Sequence, residues 1–92
     1  MPPAVQAAFE RLRGQFLAGL PARWQAIESA APGAPQRDAL HRLAGAAGSY
    51  GFEALGQAAR QAERLCDAGG PALATALSGL QAEIAHSLVT VR

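Results

Sequence analysis

The 92-residue chain has no lysine, one cysteine, one tryptophan and one tyrosine, and each shortage excludes something. All eight cations are arginines, scattered among seven acids for a net charge of +1, so no basic patch of the kind that grips a polyanion is present and nucleic acid is not an expected partner. The lone Cys66 cannot close an internal disulfide and has no CxxC companion, which fits a reducing cytoplasm and a small buried hydrophobe. No run approaches the ~18 apolar residues of a membrane span. Met1-Pro2-Pro3 does not begin the basic-then-apolar pattern of a leader, so a cytoplasmic protein without a membrane partner is expected. β-Branched residues are few, which argues against a sheet. The chain also lacks a strand-preceded phosphate loop, an HExxH helix and any Ser/His/Asp set that stands out, and autonomous catalysis is not expected.

What the chain does have is alanine, the best helix former, within a hydrophobic content of 50%. Its length suits one small domain, residues 1–92. Pro2 and Pro3 open it, residues 31–35 (Ala-Pro-Gly-Ala-Pro) and Gly69-Gly70-Pro71 are loops, and a tight turn is expected between Gly48 and Phe52. Pro21 either starts a second helix or bends a longer one.

Between these breaks the apolar residues follow helical spacing. Val5, Phe9, Leu12 and Phe16 form one stripe; Leu20, Trp24 and Ile27 the next; Leu40, Leu43 and Ala47 the third. Leu55, Ala58, Ala62 and Leu65 line the fourth segment, and Leu73, Leu77, Leu80, Ile84, Leu88 and Val91 the last. Phe9 and Trp24 read as core. Short connections make neighbouring helices antiparallel, so the fold class is all-α, an up-down four-helix bundle with an additional N-terminal helix. Gly56 and Gly79 fall inside helical segments, and both close packing and mild strain account for them.

The third segment carries a histidine, His41, with glycines four and seven residues later. Those offsets place Gly45 and Gly48 on the histidine's side of the helix. Interior glycine is unfavourable by roughly 1 kcal/mol against alanine, so two beside one imidazole suggest that helix propensity was given up to leave the ring unshielded. At ~100° per residue, Leu43, Ala44 and Ala47 fall within about 60° of Leu40, and His41 sits about a quarter turn away. The ring is thus expected at the bundle's shoulder, with its tip in water. A boundary histidine without special role is the bland alternative, and the paired glycines weigh against it.

The pattern His-x-x-x-Gly-x-x-Gly-x-x-Gly-Phe-x-x-Leu, from His41 to Leu55, resembles the histidine-containing phosphotransfer (HPt) domain of bacterial two-component phosphorelays. The likeness is continuous from about Leu40 to Leu65, and chain length and helix order extend it over nearly the whole chain. Phe16 to Trp24, with its Leu-Pro pair, also resembles the family's early helix. The resemblance implies that His41 accepts a phosphoryl group from a histidine kinase or receiver donor, hybrid kinases included, and passes it to a receiver aspartate. It implies a carrier without cofactor of its own, Mg²⁺ sitting on the partner receiver.

In the family a polar residue twenty-two positions after the histidine orients the ring; here it is Glu63, the other reading of which is an exposed acid paired within its helix to Arg60 or Arg64. Many members carry a lysine three residues after the histidine, where this chain has Ala44. Arg37, one turn before His41, either substitutes for that charge or is a plain solvated cation. The implied docking face comprises Arg37, Ala44, Gly45, Gly48, Ser49 and Phe52, on a monomer. Two rivals remain: a bundle that docks a receiver or kinase without transfer, and a metal-dependent hydrolase built from His41, Glu63, Cys66 and His86. The spacing of the latter set follows no ligand pattern, so no metal residues are expected.

Overall fold

The structure, a computed structural model, describes residues 2–90. Five helices follow one another: α1 (Pro3–Ala18), α2 (Leu20–Ser29), α3 (Ala34–Ser49), α4 (Glu53–Leu65) and α5 (Gly70–Thr90). No strand occurs among the described residues. Pro21 starts a helix rather than bending one: it lies in the first turn of α2, where its missing N–H is an orphan anyway, and Gly19 alone separates α1 from α2. The expected turn after Gly48 spans residues 50–52. Gly51 takes a φ of 82°, a left-handed conformation that costs glycine little, and the Phe52 N–H donates to the Ala47 carbonyl at 2.9 Å to close the helix end.

The core draws on all five helices, with Leu20, Ile27, Leu40, Leu43, Leu55 and Leu80 its largest fully buried side chains. The α3–α4 seam is built from small residues: Ala44 and Ala47 face Gly56, Ala59 and Ala62, all buried. A Cβ on Gly56 would lie 3.5 Å from the Ala44 carbonyl oxygen and 3.7 Å from the Ala47 Cβ, so close helix packing accounts for this glycine. Nothing lies within 4 Å of a Cβ placed on Gly79, and nothing in the structure explains that residue. Pairings across the seam run in opposite chain directions (Arg37 with Asp67, His41 with Glu63, Ala44 and Gly48 with Gly56), which makes α3 and α4 antiparallel.

Three expected stripes differ from those observed. On α1 only Phe16 is buried; Val5, Phe9 and Leu12 are 53%, 37% and 46% exposed. A stripe is buried only where a neighbour covers it, and residues 2–7 are exposed throughout. On α4 the buried line passes through Ala59 rather than Ala58, and Cys66 rather than Leu65 completes it. On α5, Leu80, Ile84 and Ser87 are buried while Leu73, Leu77 and Leu88 are half-buried; Val91 lies outside the described residues. Trp24 is half-buried against the core.

An aromatic cluster ties α1 to the α3–α4 turn. Phe16 stacks on Phe52 with centroids 5.6 Å apart and meets Tyr50 at 5.4 Å. Arg13 lies over the Phe52 ring at 4.3 Å and donates from Nε to the Tyr50 carbonyl at 3.3 Å.

Candidate functional site

His41 projects from the middle of α3 with 76% of its side chain exposed. It stands there because Leu40 and Leu43, its neighbours on the helix, point into the core and leave it on the shoulder. Its Nδ1 lies 2.9 Å from Oε2 of Glu63 on α4, whose side chain is only 24% exposed. A carboxylate only accepts, so Nδ1–H donates, and in the neutral ring Nε2 keeps its lone pair. Glu63 is thus set against the ring; Arg64 donates to Gln61 instead.

A groove of about 460 Å³ opens beside the ring, lined by Arg37, Ala44, Gly45, Arg60, Glu63, Arg64 and Asp67 as well as His41. Arg37 is not a free cation: its Nη1 is 2.7 Å from Oδ1 of Asp67, in an exposed pair of the sort that contributes little to stability. A Cβ on Gly45 would meet nothing within 4 Å, so this face is open. At Gly48 the space is not empty, because Arg60 Nη2 lies 3.6 Å from where a Cβ would stand.

The other residues of the expected docking face divide. Ser49 is exposed, its hydroxyl donating back to the Gly45 carbonyl at 3.0 Å. Ala44 is 3% exposed, so it floors the groove rather than presenting a docking surface; its position next to the Leu40 stripe already implied this. Phe52 is half-buried in the aromatic cluster, which spends its ring on packing.

Two residues take places that the sequence did not show. Arg60, expected only as an in-helix partner for Glu63 one turn away, instead lines the groove and lies beside Gly48. Gln36 is buried, donates from Nε2 to the Ile27 carbonyl at 3.1 Å, and accepts from the Cys66 thiol at 3.9 Å. It sits four residues before Leu40, on the core stripe, and so staples α2, α3 and the end of α4. Burial pushes the Cys66 thiol up from its ordinary 9.0; the Asp67 and Glu63 carboxylates add to the rise and Arg37 opposes it. His86 is exposed on α5. Among the described residues no three His, Cys, Asp or Glu side chains are grouped to hold a metal ion, and no helix is long and apolar enough to cross a membrane.

A small all-helical bundle that braces one solvent-facing imidazole against a carboxylate belongs to the class of histidine-presenting helical modules. More particularly, the chain matches the family described as Hpt domain over residues 11–89 and belongs to that family, the phosphotransfer modules of two-component signalling. No curated protein and no solved structure matches it.

Proposed function

We propose that His41 is the phosphoacceptor of a phosphorelay carrier, and that Glu63 is its ring-orienting partner. The observation that carries this reading is the exposed His41 ring with Nδ1 held 2.9 Å from the Glu63 carboxylate. The Nε2 lone pair attacks the phosphorus of a receiver's aspartyl phosphate or a kinase's phosphohistidine. The N–P bond forms as the donor's P–O or P–N bond breaks, and the electron pair leaves with the donor carboxylate or imidazole. His41 keeps its Nδ1 proton, and Glu63 neutralises the positive charge that the ring acquires. The reverse attack by a receiver aspartate discharges it. Phosphoryl transfer depends chiefly on positioning and charge stabilisation, so a small module can leave the Mg²⁺ to the receiver and need no cofactor.

In this reading α2 to α5 form the up-down four-helix scaffold and α1 is the additional helix. The receiver or hybrid kinase docks on the exposed face around His41, Gly45 and Ser49 of a cytoplasmic monomer. Incubation with a phosphorylated receiver or an active kinase is expected to give an acid-labile, base-stable phosphoprotein. Label that persists undiminished in His41→Gln, or no label across several candidate donors, would overturn it. The absence of an amino group at Ala44 favours a second reading, docking without transfer. That reading predicts receiver binding that survives His41→Ala with no phosphohistidine formed.

A further inference from the structure

Three arginines line the groove beside His41, and two of them are committed. Arg37 is held by Asp67 at 2.7 Å, and Arg64 donates to Gln61 on its own helix. Arg60 makes no hydrogen bond or ion pair among the described residues. Its guanidinium instead crosses the α3–α4 seam, Nη2 lying 3.6 Å from the position of a Cβ on Gly48. Because the helices are antiparallel, with Glu63 facing His41 and Gly56 facing Gly48, Arg60 falls between these pairings, level with Gly45. It lines both the His41 groove and the adjoining one formed by Gly45, Gly48, Ser49, Glu53 and Gln57. An uncommitted, planar, five-donor cation therefore stands at the divide between the nucleophile and the open glycine face.

A phosphoryl group on Nε2 brings two negative charges into a groove that already holds the Glu63 and Asp67 carboxylates. Ala44 on α3 supplies no charge to offset them, and Arg37 is already engaged by Asp67. We propose that Arg60, from α4, is the positioning cation that holds the phosphoryl group on His41 in this chain. The proposal rests on the reading of His41 as phosphoacceptor. It also separates the two glycines: Gly45 faces open space for the incoming domain, whereas Gly48 has the Arg60 guanidinium beside it. A guanidinium can donate to two phosphoryl oxygens at once, favouring the dianion over the monoanion.

The protein labelled with phosphoramidate, a small donor that transfers its phosphoryl group to a ring nitrogen with release of ammonia, tests this without a partner. In a ³¹P NMR pH titration the phosphoryl resonance of Arg60→Ala should titrate at higher pH than wild type, and that of Arg60→Lys should lie between the two. With a cognate receiver, Arg60→Ala should shift the phosphoryl equilibrium towards the receiver by about two- to fivefold, the size expected of an exposed charge pair. Arg64→Ala, on the same helix, should change neither reading, and helical circular dichroism should be unchanged in all three. Wild-type titration behaviour in Arg60→Ala, or an equal shift in Arg64→Ala, would overturn the role of Arg60 while leaving His41 in place. Failure of the wild type to accept phosphoryl from phosphoramidate and from a phosphorylated receiver would overturn the His41 reading and this proposal together.

Discussion

At the residue scale the chemistry narrows to one hydrogen bond. The Nδ1–Oε2 contact orients the ring, and in the proposed transfer its value rises as the ring becomes cationic. Glu63→Ala removes that neutralisation. A charge-assisted bond at a partly exposed site accounts for about 1.4 kcal/mol, so phosphotransfer is expected to slow about tenfold, read as initial rate of label exchange with a receiver. Circular dichroism should remain unchanged, because the Glu63 carboxylate is not part of the core cluster.

Cys66 gives a second test at this scale. Its thiol is buried and pushed up from 9.0 by desolvation first, then by Asp67 and Glu63 against Arg37. Below that ordinary value both folded and unfolded chains keep the proton, and Cys66 makes stability independent of pH. Above it the unfolded chain ionises first, so the stabilisation is lost as pH rises towards the folded value. Urea melts from pH 8 to 10 should show a falling midpoint that is absent in Cys66→Ala, and native protein at pH 8 should resist iodoacetamide until denaturant is added.

At the element scale, α3 carries the trade between helix propensity and access. Gly45 faces open space, so Gly45→Ala should raise stability by about 0.5–1 kcal/mol in denaturant melts while leaving the phosphoramidate reaction intact. Gly45→Leu should retain that small-donor reaction yet lose transfer with a receiver, since only the larger partner needs the cleared face.

The same helix shows what was legible in the chain and why. Leu40, Leu43 and Ala47 were readable as a stripe because helical period alone sets their direction, and the glycine offsets from His41 were readable for the same reason. What stands opposite Gly48 was not readable: it is a side chain from α4, and the rotation of α4 about its axis, one position off expectation at Ala59, follows from how Gly56 packs on Ala44 and Ala47. Gln36 was hidden because a polar residue on a core stripe is satisfied only by partners from other helices, here Ile27 and Cys66.

At the scale of the whole molecule, a body of 47 × 23 × 19 Å, burial is full beneath α3 and absent along the start of α1. Leu43→Ala, at a fully buried position under the His41 helix, is expected to cost about 2–5 kcal/mol and to lower Tm steeply in calorimetry. Val5→Ser, on the exposed first turn of α1, should stay within about 0.5 kcal/mol of wild type. The contrast checks that α1 is held by its aromatic contacts, Phe9 and Phe16 against Tyr50 and Phe16 against Phe52, while its first turn stays uncovered.

Local rules of the chain were enough for helix number, the breaks at Gly51 and Gly69, the direction of the α3 stripe and the exposure of His41, because propensity, glycine geometry and the 3.6-residue period act within a few residues. Folding in three dimensions settled which stripes found cover, that Glu63 meets His41 rather than an arginine of its own helix, that Asp67 engages Arg37, and that Arg60 rests against Gly48. Each of those outcomes depends on the rotation and spacing of two helices joined by a turn, and these follow from small-residue packing summed over the whole seam.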